Sequence, residues 1–130
     1  MTTKAKGAFE VKIVPQTDRD IPMLGRLTLD KTFMGDLEAT SQGTMLSAMT
    51  SVPNSAGYVA IERVVGALNG KKGSFVLQHS GTANKGENSL IVTIVPDSGT
   101  EELAGIKGKL DIIIKDGKHF YELDYELSGL

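Results

Sequence analysis

The sequence predicts an all-β fold: one closed or nearly closed antiparallel barrel of about eight strands, running mostly as an up-and-down meander. The prediction rests on a hydrophobic period of two along most of the chain and on turn residues placed evenly between the periodic runs. Fifteen glycines in 130 residues also leave little room for a long helix.

The runs follow in order. FEVKIV, from residue 9, places Phe9, Val11 and Ile13 on one face and Glu10 and Lys12 on the other. LTLDKTF sets Leu27, Leu29 and Phe33 together, and DLEATSQGTMLSAMT, after Gly35, is the third and least regular strand. YVAIERVVGAL offers Val59, Ile61, Val65 and Ala67, FVLQH offers Phe75 and Leu77, and LIVTIV offers Leu90, Val92 and Ile94. GIKGKLDIII and YELDYEL close the series with Ile106, Leu110, Ile112 and Ile114, then Tyr121, Leu123, Tyr125 and Leu127. Between them lie VPNSAG at 52–57, NGKKG at 69–73, NKGEN at 84–88, PDSG at 96–99 and Asp116-Gly117, all turn compositions. SGTEELAG at 98–105 has the makings of one helical turn capped by Ser98 or Thr100. The chain reads as a single domain over 1–130, with 1–6 as a flexible N-terminus.

A two-residue Asp116-Gly117 loop sets the last hairpin. It places Ile112 against Tyr121 and Leu110 against Leu123 on one face, and Lys109 against Asp124 and Lys107 against Glu126 on the other. Asp111 against Glu122 is the single like-charge pair. Strands with one apolar face must hide it. Short sequential loops favour a barrel over a sandwich, since closure removes exposed edges.

Composition excludes several classes. The formal net charge is −2 and the densest basic run is GKKG at 70–73, so nucleic acid is not a partner. No apolar run reaches membrane-spanning length, and the N-terminus lacks the apolar stretch of a secretory signal, so a cytoplasmic location is expected. Without cysteine there is no disulfide, thiolate nucleophile or thiolate-held metal. His79 and His119 are the only histidines, and no phosphate loop, G-x-S-x-G elbow or dinucleotide fingerprint occurs. No metal and no cofactor is therefore expected.

Polar residues in apolar phase are the candidate site. Lys31 lies between Leu29 and Phe33, Arg63 between Ile61 and Val65, and His79 follows Phe75 and Leu77. A three-residue loop at Gly70–Lys72 sets Val65 against Leu77 and Arg63 against His79. Arg63 and His79 then form the polar end of a pocket able to grip a carboxylate or enolate-like oxygen, or else a satisfied structural pair near one barrel mouth, or a bulge turns one of them outward. If the other face of that strand is the inner one, Tyr58, Glu62 and Gln78 become the pocket, with Glu38 and Tyr125 as further members. Otherwise Glu62, Gln78 and Glu38 are outer-wall residues. Tyr121 and Tyr125 read as core with their hydroxyls near a rim, His119 as an inward residue beside the Asp-Gly turn at a barrel end, exposed or capping there, and Met34, Met45 and Met49 as gap-filling core or the lining of an adaptable apolar cavity.

The elements AIERVVGALNGKKGSFVLQHSGT and PDSGTEELAGIKG, with the hairpin that follows, resemble a family of small, mostly bacterial proteins of unknown function. The resemblance runs from about Gly7 to Leu127. It implies an allene-oxide-cyclase-like (calycin-like) barrel and association as a homodimer or homotrimer. Allene oxide cyclases close an unsaturated fatty-acid epoxide inside such a barrel, but no motif here carries that activity across.

Three functions follow. The first is a barrel binding a small, largely apolar or carboxylate-bearing ligand with its polar end at Arg63 and His79. The second is a packed barrel acting through an oligomer surface. The third is an isomerase- or cyclase-type enzyme with His79 or Glu62 as acid or base.

Overall fold

The computed structural model describes residues 2–16 and 21–127. Eight antiparallel strands close into one barrel in chain order: β1 (Thr3–Gln16), β2 (Leu24–Phe33), β3 (Leu37–Met49), β4 (Ala56–Leu68), β5 (Lys71–Asn84), β6 (Glu87–Ile94), β7 (Lys107–Lys115) and β8 (Lys118–Glu126). β1 seals the barrel against β8, from Thr3 opposite Tyr125 to Phe9 opposite His119. This pairing corrects one expectation: the chain is already in strand from Thr3, so residues 3–6 are not a loose terminus. No helix among the described residues is long and apolar enough to cross a membrane.

Two-residue turns set the registers. Asn69-Gly70, Lys85-Gly86 and Asp116-Gly117 each have both residues at positive φ, the mirror-image turn whose twist matches the flanking strands. The last hairpin pairs as its sequence predicts, including Asp111 opposite Glu122. That like-charge pair is relieved from β1, where Lys4 Nζ reaches Glu122 at 3.6 Å and Asp124 at 3.7 Å.

The β4–β5 hairpin corrects the expectation for β4. Because its loop is Asn69-Gly70 rather than three residues, Leu68 faces Lys71, Arg63 faces Val76 and His79 faces Ala60. Facing pairs therefore have opposite parity. With Phe75, Leu77 and His79 inward on β5, the inward set on β4 is Tyr58, Ala60, Glu62, Val64 and Leu68. Val59, Ile61, Arg63 and Val65 all lie on the outer wall.

One end of the barrel is filled and the other open. At the filled end, Leu37, Leu68, Phe75, Leu77, Leu123 and Tyr121 pack in a single apolar cluster. Leu103 and Ile106, from the long β6–β7 connection, join the same cluster. That connection holds the expected helical turn, a 3-10 turn at Glu101–Leu103. Its two cap candidates do other work. β5 outruns the shorter β6, and Thr100 Oγ1 accepts the Ser74 N–H while Ser98 Oγ accepts the Val76 N–H. The backbone N–H groups of Thr100 and Val95 complete this replacement strand on the carbonyls of Ser74 and Val76.

Tyr121 locks the filled end. Its hydroxyl accepts the Leu37 N–H at 2.9 Å and donates to the Met34 carbonyl at 2.8 Å, tying β8 to the β2–β3 turn. Burial pushes its phenol pKa up, which keeps it a neutral donor. Gly7 makes the room, since a Cβ there would fall on the Met34 carbonyl and the Tyr121 hydroxyl. Replacing Tyr121 by Phe strands the buried Leu37 N–H. The expected loss is about 1–3 kcal/mol, read as a lower urea midpoint at unchanged slope.

Candidate functional site

Four consecutive strands each turn one polar side chain into the barrel at the level where the packed core ends. These are Lys31 on β2, Ser41 on β3, Glu62 on β4 and His79 on β5, all buried. Lys31 and Ser41 are direct cross-strand partners. Glu62 lies opposite Gly43, diagonal to Ser41, and His79 lies opposite Ala60, diagonal to Glu62. Gly43 is needed at that point, because a Cβ on it would stand 2.6 Å from the Glu62 Cβ.

Glu62 is the hub. Its Oε2 accepts from Lys31 Nζ at 2.7 Å and His79 Nε2 at 2.6 Å, and its Oε1 accepts from Ser41 Oγ at 2.7 Å. Burial alone raises a carboxyl pKa; here the His79 hydrogen bond and the Lys31 charge and hydrogen bond outweigh it and hold Glu62 down at about 2. Glu62 is thus ionised at neutral pH and only accepts hydrogen bonds. His79 Nε2 must then carry a proton, an assignment that follows from the hydrogen-bond pattern. The Lys31 ammonium also sits 5.2 Å from the Phe9 ring centroid and 6.0 Å from that of Phe33, within cation–π range.

Above this layer the barrel holds a cavity of about 200 Å³, walled by apolar side chains such as Phe9, Val11, Leu29, Met45 and Ile112. Lys31 and His79 reach it from the floor, and Tyr58 and His119 line it nearer the open end. His79 Nδ1 makes no hydrogen bond to any described residue. Among the described residues no fully buried side-chain nitrogen or oxygen is left without a partner, so Nδ1 opens to the cavity that His79 lines. Ser41 is not a free nucleophile, because its hydroxyl is committed to Glu62. Among the described residues no group of three or more His, Asp or Glu side chains could hold a metal ion. A larger concavity of about 680 Å³ lies on the outer wall around Glu10, Lys12, Asp30 and Arg63. Its charges are of mixed sign and solvated, so it concentrates no one ligand chemistry.

The residues singled out from sequence divide as follows. His79 points inward as expected. Arg63 does not join it: it lies outside, donating from Nη2 to Ser74 Oγ at 3.2 Å. Of the second set, Glu62 and Tyr58 are inside, whereas Gln78 and Glu38 are exposed on the outer wall. Tyr125 is core at the filled end, its hydroxyl accepting from Asn69 Nδ2 at 2.7 Å. His119 faces the barrel cavity, as its phase predicts, but is half-buried rather than exposed, with its ring 5.2 Å from that of Phe9. Of the methionines, Met34 and Met49 are exposed, while Met45 lines the cavity. Sequence reasoning missed Ser41, and the irregularity of β3 hid its phase.

The hub has a pH signature. Glu62 titrates near 4.5 when unfolded and at about 2 when folded. Its contribution is therefore complete above pH 4.5 and lost as pH falls toward 2. The shift corresponds to roughly 3 kcal/mol. Urea midpoints measured between pH 6 and pH 2 should fall more steeply for the native chain than for Glu62→Gln. At neutral pH that variant leaves the Lys31 ammonium without its counter-charge, and should lose about 3–5 kcal/mol.

No curated protein matches this chain. A solved structure that resembles it is the crystal structure, at 1.84 Å resolution, of a protein of unknown function from the DUF3224 family of Shewanella oneidensis MR-1. The two are 51% identical over 100% of both chains, with a TM-score of 0.95. The model of the same family, described as a protein of unknown function, matches residues 5–125. The fold and the extent of these matches agree, and the chain belongs to the DUF3224 family.

Proposed function

We propose that this barrel binds a small, largely apolar molecule whose polar end rests on Lys31 and His79. The observation that carries the reading is the pairing of an ammonium with a free ring nitrogen on the floor of an otherwise apolar cavity. Lys31 takes the place that the sequence assigned to Arg63. Drug-sized ligands occupy about 300–1,000 Å³, while an apolar cavity of about 150 Å³ takes benzene. A cavity of about 200 Å³ suits one ring, or a short chain, carrying one polar group. Binding needs nothing beyond this geometry, whereas an isomerase or cyclase would also need a substrate that the site does not specify.

Native mass spectrometry of protein purified from its own source tests the reading. The expected spectrum shows a retained small molecule that disappears in Val11→Trp, a change that fills the cavity while circular dichroism still reports a β-barrel. Retention of the same mass by the filled variant would show that the molecule sits elsewhere.

The outer wall supports a second reading, association with another copy of this chain. Leu46, Val59, Ile61 and Ile91 are 54%, 51%, 56% and 62% exposed. They lie together: Leu46 faces Val59, and Ser80 faces both Val59 and Ile91. The residues among them, Thr44, Gln78, Ser80 and Thr93, are uncharged, whereas β7, β8 and β1 carry Lys107, Lys109, Glu122, Asp124, Lys4 and Lys12 outward. A two-fold dimer sets one patch against itself, which an uncharged apolar patch permits. A cyclic trimer would need two different matching faces, so the dimer is the proposed state. Sedimentation should give a dimer for the native chain and a monomer for Ile61→Lys; two monomers would remove this reading.

A further inference from the structure

We infer that the cavity takes its ligand as a carboxylate together with one proton, leaving His79 as an imidazolium between Glu62 and the bound carboxylate. This rests on the cavity reading above and adds the ligand's chemical class and a proton linkage.

The argument is one of charge balance in a small apolar space. Two ionisable groups face His79 closely: Glu62 from β4, bonded to Nε2, and Lys31 from β2, which shares the same Glu62 oxygen. Tyr58 on β4 and His119 on β8 are the other titratable groups lining the cavity, and Ser41 on β3 is neutral. The remaining lining side chains, from β1, β6 and β7 among others, are apolar. With neutral His79, the buried layer holds one ammonium and one carboxylate and balances.

The unused hydrogen-bonding capacity is complementary. An ammonium has three donors, and Lys31 gives Glu62 one. Nδ1 with its lone pair accepts. A group matching both must accept from Lys31 and donate to Nδ1, as a protonated carboxylic acid does. A bare carboxylate would instead be the second anion competing for one ammonium at the buried floor of the cavity, where a nearby like charge disfavours the ionised form unless a further cation is supplied. One proton removes the conflict. It ends on Nδ1, forming an N–H bond to a carboxylate oxygen, while Nε2–H stays on Glu62. No covalent bond in the ligand other than O–H changes.

Benzoate, a single ring with one carboxylate, is the probe, and toluene and benzyl alcohol are its uncharged counterparts. Titration calorimetry of benzoate in phosphate and in Tris should give enthalpies that differ by the uptake of about one proton per site. The affinity should fall as pH rises, because binding takes up a proton. The two neutral probes should bind with no proton uptake and a flat pH profile. On saturation with benzoate, the ¹⁵N shifts of the His79 ring should move to imidazolium values. His79→Gln should abolish both the proton uptake and the pH slope. Benzoate binding without proton uptake, or binding of the neutral rings but not of benzoate, would overturn the inference and leave the cavity reading standing. If none of the three binds, both fail.

Discussion

The constraint on which the rest of this structure depends is one carboxylate that must be satisfied inside a barrel. Glu62 is fully buried and remains ionised, and each donor it needs comes from a different strand. A buried ion is tolerated only when geometry and hydrogen bonds offset its lost hydration. Here that requires β2, β3, β4 and β5 to keep one register and one inward phase together. Slipping any of the four by one residue would carry its donor, or Glu62 itself, to the outer wall. The network thus acts on fold specificity as much as on chemistry. Gly43 opposite Glu62 belongs to the same constraint, because only a residue without Cβ fits there.

The polar layer divides the barrel into two regions with different tasks. Toward the filled end, aromatic and aliphatic side chains pack against one another, and Tyr121 and the β6–β7 connection pin the strands that bound them. Toward the open end, the same inward phase continues but the side chains leave a void. An eight-stranded barrel is just wide enough for its side chains or for one small ligand; this one does the first over half its length and the second over the other half. Rigid support below and a free ring nitrogen above are what a binding site requires, since the floor is held in place before any ligand arrives. The registers are extensive everywhere except between β6 and β7, where only Thr93 and Lys109 pair. Closure there relies on the loop that substitutes for β6 alongside β5.

Local signals in the chain bear unequally on these features. Where one face was apolar and the other charged, as in β1, β7 and β8, alternation was enough to give the inward set. The Asp116-Gly117 turn then placed the last hairpin residue by residue. The β4–β5 hairpin carries the same kind of signal in Asn69-Gly70, and read as a two-residue turn it would have put Glu62 inside and Arg63 outside. It was obscured because β4 is apolar on both faces, with Val59, Ile61 and Val65 outside and Tyr58, Ala60 and Val64 inside. A strand of that kind gives no phase by alternation, and a lone Glu in it looks like surface. Lys31 and His79 were legible as polar residues out of place, but not as partners, since the residue joining them lay in the strand whose phase was ambiguous.

By itself, then, the sequence determined the strand count, the meander order and the closed all-β architecture, because alternation and turn chemistry act over a few residues. The same alternation put Lys31, Arg63 and His79 in the apolar phase of their strands, which holds for Lys31 and His79 and fails for Arg63. Only the tertiary structure decided what partners Lys31 and His79 have. Lys31, Ser41, Glu62 and His79 are far apart along the chain, and they meet because closure and register bring four inward positions to one level. The same closure decided where packing stops and the cavity begins, a matter of how side-chain volumes from all eight strands add up within a fixed circumference.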